Sequence, residues 1–511
     1  MFRSLILIFI SFISLEALKA VFFVPTLSFS HVQFNLKLAE LLAQEDYQVT
    51  LLVLDIDPNV KYDKLSNVKT LHISANLEAN RLKKSLWENP GPYEDASPLN
   101  PRIFTKFLRI SQIMIDACKS LFDDTDLIAQ LENENFDFGF VEQYDACGLG
   151  LLQRIDVRYV VWLSATAFYR LQTKSIGIDF PLSYVPELFS TFSHHMSLLE
   201  RMENVLIGGI TEITHKIYSI DAENRLARAN SVDNQLRLGL LQYASNAAAV
   251  IANVSPLLDF AQPTASSIIS VAGITVSERQ QVESLNDEWL QFANSSTNGF
   301  VLITFGAIAQ TSKMPLSLWN SLILGLKSFP EINFVIKHEQ SENGVHKWKR
   351  NVFFTKWIPQ IQLMSHPNYI AVITHGGWST VLESLLQGQP MILMPLFADH
   401  FKNARVITEK GLGIFIDKMA IENETFVRAL GSIINDQRYA KRCGMYAEIL
   451  RTSALVRPQQ AVTQRLRQIS KHSISTLAKF YHPKRIEIPF YATNYLDLLA
   501  LTVIVVALIS R

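Results

Sequence analysis

Two series of short apolar runs alternate with helical patterns, and this alternation constrains the fold of the 511-residue chain more than any other feature. In the first half the runs lie at 21–27, 47–55, 138–141 and 159–164. In the second half they lie at 300–305, 332–338, 351–357, 369–375 and 391–395. Continuous apolar runs are typical of parallel strands that crossover helices cover on both faces. The sequence therefore predicts an α/β fold with two doubly wound, Rossmann-like domains.

A change of composition separates the two series. Residues 253–275 contain two prolines, several small polar residues and no basic residue, which is typical of an interdomain linker. Ligands usually bind such sheets at the carboxyl ends of their strands, so we expect a cleft between the domains. The predicted segments are an N-terminal domain at 21–255, a linker at 256–280, a C-terminal domain at 281–455 and a helical segment at 456–489.

Both ends of the chain carry membrane-directed patterns. A positively charged start, an apolar stretch at 5–13 and two small alanines predict a signal peptide at 1–20. The C-terminal stretch 490–511 reaches the ~20 residues that a bilayer requires only when it includes three polar residues, which predicts a short membrane anchor. N-x-S/T sequons predict glycosylation in the secretory pathway at Asn253, Asn294 and Asn423.

Composition also excludes several classes of function. The 47 Lys and Arg residues balance 47 Asp and Glu residues, whereas nucleic-acid-binding proteins normally carry a basic surplus. Three cysteines are too few for a disulfide scaffold or a multi-cysteine zinc fold. His194 and His195 have no acidic or cysteine ligand nearby in the sequence. We therefore expect neither a nucleic-acid partner nor a metal site.

The densest group of chemically useful residues forms a strand–Gly–Gly–helix turn. The strand ends at His375, and Gly376 and Gly377 let backbone N–H groups approach a ligand closely. Ser379 or Thr380 can cap the next helix, whose N-terminus attracts phosphate. Such a turn also occurs in α/β proteins that bind no phosphate, so its meaning depends on the residues around it.

The turn belongs to an ordered set of short motifs. In chain order these are Trp357-Ile-Pro-Gln360, His366-Pro367, Thr374-His-Gly-Gly377, Glu383, Gly388-x-Pro390, Pro395-Leu-Phe397, Asp399 and Asn403-Ala404. With this set the chain resembles UDP-glycosyltransferases of the animal UDP-glucuronosyltransferase type over nearly its whole length. The resemblance implies a GT-B architecture, in which the N-terminal domain binds an acceptor and the C-terminal domain binds a UDP-sugar across a cleft.

The resemblance also implies a donor site, residue by residue. Trp357 would stack on uracil, Gln360 would bind the base or ribose, and Glu383 would accept hydrogen bonds from the ribose hydroxyls. His375 would hold the diphosphate, and the Asp–His pair at 399–400 would face the donor sugar. The full predicted donor set is Phe305, Gly306, Trp357, Gln360, His375, Gly376, Gly377, Ser379, Thr380, Glu383, Asp399 and His400.

Three positions depart from the family pattern. His400 stands where the family usually has a Gln that contacts sugar hydroxyls, so the donor sugar stays open among glucuronate, glucose and galactose. Ser379 replaces a usual Asn, and Ala307 replaces a usual Ser or Thr, which removes a hydroxyl worth ~1 kcal/mol if it bound the diphosphate. These departures motivate an alternative function, a catalytically impaired homologue that binds ligands or modulates a partner.

The catalytic residues are expected at the carboxyl ends of the first series of strands. Glycosyl transfer requires a base for the acceptor hydroxyl, and a His supported by a carboxylate suits this role. His31 follows the first strand, where the family places its catalytic His. The family's catalytic Asp aligns by spacing with Glu142, while Asp145 lies three residues later. We favour Glu142 as the supporting carboxylate, and Asp145 stays open.

The resemblance thus implies an inverting enzyme that moves glucuronate or another hexose from a UDP-sugar, which is a co-substrate, to a hydroxyl of a small hydrophobic acceptor. No cofactor is expected. A lipid acceptor, such as a sphingoid or a sterol, is an alternative. The implied location is the endoplasmic reticulum membrane, with a single span and lumenal catalytic domains, and oligomers with itself or related transferases are compatible with it. The aromatic residues expected to line the acceptor pocket are Phe104, Phe107, Trp162 and Phe168.

Overall fold

A computed structural model shows two α/β domains, each built on a sheet with helices on its faces. The structure describes residues 17–58, 60–75, 90–97, 100–230, 238–276, 284–342, 344–349, 351–452, 457–472, 490–493 and 496–509. The predicted signal peptide at 1–20 falls almost entirely outside these residues. The prediction of two doubly wound parallel sheets is confirmed.

The first sheet is parallel throughout its described strands, in the order β3-β2-β1-β4-β5-β6-β7. Its strands are β1 (Lys19–Pro25), β2 (Gln48–Asp55), β3 (Lys69–Ser74), β4 (Phe138–Glu142), β5 (Tyr159–Ser164), β6 (Ala249–Ala252) and β7 (Ile268–Ser270). The strand order reverses between β1 and β4. A crevice at the carboxyl ends of these two strands is the usual ligand position in such a sheet.

Helices cover both faces of the first sheet. They are α1 (Phe29–Gln44), α2 (Pro101–Asp123), α3 (Thr125–Glu134), α4 (Cys147–Arg154), α5 (Arg170–Ser175), α6 (Leu198–His215), α7 (Asp221–Ala229) and α8 (Leu240–Ser245). A π-helical turn at Lys216–Ile220 joins α6 to α7. A disulfide links Cys118 in α2 to Cys147 in α4. The sequence does not predict this bond, because spacing along the chain does not show which cysteines meet.

The second sheet repeats the doubly wound topology, in the order β10-β11-β9-β8-β12-β13-β14. Its strands are β8 (Phe300–Thr304), β9 (Asn333–Lys337), β10 (His346–Lys349), β11 (Val352–Thr355), β12 (Tyr369–Thr374), β13 (Met391–Leu393) and β14 (Gly413–Phe415). Only β10 runs antiparallel among the described strands. The order reverses between β8 and β12, which places the ends of these strands at a second crevice.

The helices of the second half include one that returns to the first domain. They are α9 (Asp287–Ser295), α10 (Leu316–Lys327), α11 (Gln360–Met364), α12 (Trp378–Leu386), α13 (His400–Glu409), α14 (Thr425–Asn435), α15 (Gln437–Thr452) and α16 (Pro458–Ser470). Val462, Leu466 and Ile469 of α16 are fully buried in the apolar core of the first domain. The helix therefore completes a core that the N-terminal half begins.

The connection between the domains is packed against both of them. Strand β7 lies inside the predicted linker 256–280 and belongs to the first sheet, so that sheet extends into the predicted linker. Asp259 forms an ion pair with Lys402 of α13 at 2.8 Å, and Lys402 is 3% exposed. The Trp378 indole donates to the Asn253 carbonyl at 2.5 Å. These contacts join the connection to two helices of the second domain.

The predicted anchor at 490–511 contains two described helices, α17 (Phe490–Thr493) and α18 (Leu496–Ile509). Of the helices that the structure describes, none combines the length and the apolar character that a bilayer span requires.

Candidate active site

The loops that follow the central strands of the two sheets bring their charged groups together. His31 lies in the first turn of α1, after β1, and Asp399 precedes α13 in the second domain. Burial raises the pKa of Asp399 although the charge of His31 opposes this shift, and the charge of Asp399 is among the smaller causes that raise the pKa of His31. The two domains therefore face each other across one site.

His31 is paired with Glu142, which ends the neighbouring strand β4. The His31 Nδ1 atom lies 3.4 Å from Glu142 Oε2, and the two side chains are 13% and 0% exposed. Neither atom has a hydrogen-bond partner among the described residues. The Tyr144 ring packs edge-on against the imidazole, with 5.1 Å between centroids. Because Nδ1 is directed at the carboxylate, Nε2 is the nitrogen that is left for a substrate.

The electrostatic surroundings of His31 make it a stronger base. Burial lowers the pKa of His31, but the charge and close approach of Glu142, with a smaller contribution from Asp399, outweigh burial, so the pKa is raised above its ordinary value of 6.5. A carboxylate beside an imidazole stabilises the protonated form that a general base reaches after it takes a proton.

Asp145, the other carboxylate left open by the sequence, has a different environment. Its Oδ1 accepts a hydrogen bond from the Cys147 amide at 2.9 Å, at the start of α4. Glu223 from α7 accepts from the Ala146 amide at 2.5 Å, so two buried carboxyl groups meet at this helix end. Burial raises the pKa of Asp145 to about 7 and that of Glu223 well above its ordinary value. Glu142 is therefore the carboxylate beside His31, while Asp145 caps a helix.

In the second domain, His375 follows β12 and is enclosed by glycines. A Cβ atom on Gly306 would lie 2.9 Å from the imidazole, and one on Gly377 would lie 2.5 Å from its Nε2. Gly376 has a φ of +85°, which side chains rarely adopt. The predicted need for glycine at this turn thus has two physical sources, close approach to His375 and backbone conformation.

His375 and His400, which pack against each other, are neutral. Burial and the charge of Lys337 lower the pKa of His375 to about 4. His400 packs perpendicular to it, with 4.4 Å between ring centroids, and burial lowers its pKa well below 6.5. The His400 ring also contacts Phe397 at 4.6 Å and is 6% exposed. Its predicted contact with sugar hydroxyls stays a prediction.

The residues predicted to bind the nucleoside lie together. Gln360 donates to Thr380 Oγ1 at 3.1 Å and also to the Glu383 carboxylate. Burial raises the pKa of Glu383 to about 7, although the hydrogen bond from Gln360 opposes this shift. Trp357 is 60% exposed, which leaves its indole free to stack on a base. Ser379 lies half-buried in the first turn of α12.

Several predicted site residues lie elsewhere. The Phe305 side chain is 1% exposed and packs against Tyr93 in the core of the second domain, so it cannot reach a donor. Trp162 and Phe168 are buried in the core of the first domain, whereas Phe104 lies on the surface against Tyr218. The predicted aromatic acceptor pocket is therefore wrong as a single cluster, because apolar side chains fill cores before they line pockets.

One predicted glycosylation site is also wrong. Asn253 is 2% exposed; its side-chain nitrogen donates to the Ala165 carbonyl, and its oxygen accepts from the Gly273 amide. A glycan on this buried amide is incompatible with the folded chain. Asn294 and Asn423 are exposed and stay predicted sites.

The structure adds three polar residues that the sequence analysis did not assign to the site. Lys337 ends β9, donates to the Gly306 carbonyl at 2.7 Å and lies 5.6 Å from the Trp357 ring centroid. Asn403 donates to the Gly376 carbonyl at 3.0 Å and to Asp399 at 2.8 Å. Asn35 contacts the His31–Glu142 pair. Lys337 had a sequence signal, since it is a charge at the end of an apolar strand.

Two doubly wound domains that face each other across such a site define the GT-B class of glycosyltransferases. The fold is similar to that of a variant of Os79 from O. sativa in complex with UDP, with 12% identity, a TM-score of 0.60 and coverage of 89% of this chain and 100% of that chain. It is also similar to Phytolacca americana UGT2 complexed with UDP-2fluoro-glucose and pterostilbene, with 13% identity, a TM-score of 0.57 and coverage of 89% and 100%.

The sequence comparisons narrow this class to one family. The family model of UDP-glucoronosyl and UDP-glucosyl transferase matches residues 20–509, and the chain belongs to this family. Human UDP-glucuronosyltransferase 1A8 is 28% identical over 69% of this chain and 64% of its own length. UDP-glucuronosyltransferase 3A1 of Bos taurus is 26% identical over 79% of this chain and 74% of its own length.

Proposed function

We propose that this glycosyltransferase moves glucuronate or another hexose from a UDP-sugar to a hydroxyl of a small hydrophobic acceptor, with inversion. One observation carries the proposal. The His31–Glu142 pair of the first domain lies within electrostatic range of Asp399, beside the glycine-rich turn of the second domain. A base and a nucleotide-sugar site on opposite walls of one cleft are what a direct displacement requires.

In the proposed step, His31 Nε2 removes the proton of the acceptor hydroxyl as its oxygen attacks the anomeric carbon. The bond from that carbon to the UDP oxygen breaks, and UDP leaves with the electron pair. Glu142 stabilises the imidazolium ion that results. Attack from the face opposite to UDP inverts the configuration of the anomeric carbon.

The second domain would stabilise the leaving UDP. The N-terminus of α12 presents backbone N–H groups toward an anion, and Lys337 adds a positive charge between Gly306 and Trp357. His375 is neutral at physiological pH, so it would act as a hydrogen-bond donor rather than as a cation. The three departures from the family pattern leave these groups in place, and a catalytically impaired homologue is therefore not favoured.

Aromatic residues near His31 support a hydrophobic acceptor. Tyr144 contacts the imidazole. Burial raises the pKa of Tyr169 and the charges of Asp399 and Glu142 add to this shift, so Tyr169 lies within electrostatic range of both carboxylates. Lumenal residence in the endoplasmic reticulum, on its membrane, is part of the proposal. The Cys118–Cys147 disulfide supports it, since such bonds persist in oxidising compartments.

The test is a transfer assay on the membrane-bound protein. UDP-glucuronate, UDP-glucose, UDP-galactose and UDP-N-acetylglucosamine are each offered with a panel of phenols and lipid alcohols. We expect transfer from one donor and a loss of about 100-fold or more in His31→Ala, the range typical of a missing general base. UDP-sugar binding without transfer from any donor would support the impaired homologue. Full activity in His31→Ala would exclude His31 as the base.

A further inference from the structure

The carboxylate beside His31 is held by a third residue, Asn35, one helical turn further along α1. Asn35 Nδ2 donates to the His31 carbonyl oxygen at 3.0 Å and to Glu142 Oε1 at 3.2 Å. The Asn35 side chain is 1% exposed. Because one nitrogen meets two acceptors, the orientation of the amide is determined by its contacts, since a rotated amide would direct its oxygen at both of them.

This contact divides the two oxygens of the Glu142 carboxylate. Oε1 accepts from Asn35, which leaves Oε2 for His31 Nδ1 at 3.4 Å. Glu142 is longer by one methylene than an Asp at the same position, so it has one more rotatable bond to hold. A buried carboxylate with one oxygen anchored has less freedom to rotate, and its other oxygen lies 3.4 Å from the imidazole nitrogen.

Packing alone does not explain an asparagine here. The Asn35 Oδ1 atom is buried and has no hydrogen-bond partner among the described residues. A buried polar atom without a partner costs about 1–3 kcal/mol, which an apolar side chain of similar volume would avoid. The cost is consistent with a residue whose purpose is its donor group.

We propose that Asn35 is a positioning residue that orients Glu142 so that one carboxylate oxygen faces His31. It acts through Glu142 and does not touch a substrate. The inference rests on the proposed function of His31 as the base. The titratable groups that face His31 are Glu142 at the end of β4, Tyr144 in the following turn and Asp399 from the second domain. Of these, Glu142 is the group to which Asn35 donates a hydrogen bond.

The test compares Asn35→Leu with Asn133→Leu in the full-length protein. Asn133 donates to the Ala129 carbonyl at 2.9 Å, just as Asn35 donates to the carbonyl of the residue four positions earlier. Asn133, however, lies on the surface of α3. We expect kcat to fall about 10- to 100-fold in Asn35→Leu, with the KM for the UDP-sugar within about twofold of wild type. Asn133→Leu keeps both values. A rise in KM without a fall in kcat would overturn the proposal.

A second readout does not require activity. Diethylpyrocarbonate reacts with neutral imidazole, so the pH dependence of labelling of the His31 peptide, measured by mass spectrometry, reports the pKa of His31. We expect the midpoint to move down by about one pH unit in Asn35→Leu, because a displaced carboxylate no longer favours the imidazolium. An unchanged midpoint in the folded variant would overturn the proposal. If wild-type protein transfers no sugar, the proposed function fails, whereas this midpoint still tests the positioning role.

A double-mutant cycle separates positioning from a general loss of structure. In a Glu142→Gln background the carboxylate that Asn35 orients is already gone, so Asn35→Leu should lower kcat little further. The losses from the two substitutions are therefore expected to be far from additive. Equal losses from Asn35→Leu in both backgrounds would show that Asn35 acts independently and would overturn the proposal. Should circular dichroism show that Asn35→Leu is unfolded, Asn35→Ala takes its place, because it also removes the donor and adds no bulk.

Discussion

The first domain forms one wall of the cleft and the second domain forms the other. The two walls shift the pKa of a buried histidine in opposite directions. On the first wall, burial lowers the pKa of His31, but Glu142 outweighs it and the pKa is raised. On the second wall, burial with the Lys337 charge lowers the pKa of His375 to about 4, and no carboxylate of the described residues offsets this shift. The same side chain is thus a proton acceptor on one wall and a neutral hydrogen-bonding group on the other. A partner charge, rather than burial, decides which role is available.

The walls also differ in how they are built. The first wall uses long polar side chains that hold one another, namely Asn35, Glu142 and His31. The second wall depends on glycines, because a side chain on Gly306 or Gly377 would collide with the His375 ring. Proton chemistry needs oriented charges, whereas diphosphate binding needs close backbone approach. Substitutions on the first wall should therefore impair the chemical step, and those on the second wall should impair binding of the UDP-sugar.

The largest effect is expected from Glu142→Gln on the first wall. The variant keeps the shape but removes the charge that raises the pKa of His31. We expect kcat to fall about 100-fold and the acidic limb of its pH profile to move to lower pH, because His31 then loses its proton more readily. Glu40→Gln, on the solvent side of α1, the helix that carries His31, is the control. An acidic limb that moves to higher pH would contradict the pairing.

On the second wall, Gly377→Ala should weaken binding of UDP rather than the chemical step. The new methyl group would lie 2.5 Å from His375 Nε2 and 2.8 Å from its Cε1, so the buried ring or the turn would have to shift. Overpacking costs about 1–3 kcal/mol, so we expect the affinity for UDP, measured by calorimetry, to fall about tenfold or more. Gly209→Ala in α6 is the matched control, because its Cβ would meet no atom within 4 Å. Unchanged affinity in Gly377→Ala would remove the steric argument.

A smaller effect is expected from the titration of Glu383. Its pKa of about 7 lies above the ordinary 4.5, so the group is protonated below pH 7 and becomes a carboxylate acceptor for ribose hydroxyls above it. We expect the affinity for uridine, which carries no phosphate, to rise about five- to tenfold between pH 6 and pH 8. Glu383→Gln should bind uridine with no such dependence. Equal dependence in both proteins would assign the titration to another group.

The smallest effect concerns stability on the first wall, at Asp145. Its folded pKa of about 7 exceeds the ordinary 3.8, so the folded state binds the proton more tightly and stability is lost as the pH rises between these values. Asp145→Asn keeps an acceptor for the Cys147 amide and removes the charge. We expect its Tm at pH 8 to exceed that of wild type by about 2 °C or more. Asp124→Asn, an exposed helix cap, should show no gain at pH 8; a gain there would argue against burial as the cause.

The sequence predicted the centres of the two sheets better than their edges. Strand β5 occupies the residues of its apolar run, and β1, β4, β8 and β12 lie within a few residues of theirs. Buried parallel strands must be apolar on both faces, so composition identifies them. The edge strands β3 and β14 carry mixed or short patterns, and they were not predicted. Their pairing depends on neighbours that only the fold supplies.

The site divides along similar lines. His31 and His375 follow strands, Glu142 ends one, and Glu383 lies one turn into α12. Such positions can be predicted from the sequence. Asn35 could not be predicted, because its partner Glu142 is 107 residues away and nothing local marks the contact. The same holds for Glu223, which reaches the start of α4 from α7. Contacts between distant segments carry the polar detail of the site.

The return of α16 to the first domain has a consequence for synthesis. The last strand of the first sheet ends at Ser270, but the helix that covers part of its core begins at Pro458, about 190 residues later. At about 5–20 residues per second, the ribosome needs about 10 to 40 s to make the intervening chain. During that interval the first domain would present an uncovered apolar surface to its surroundings. The core of the first domain therefore stays incompletely covered until the second half of the chain has been made.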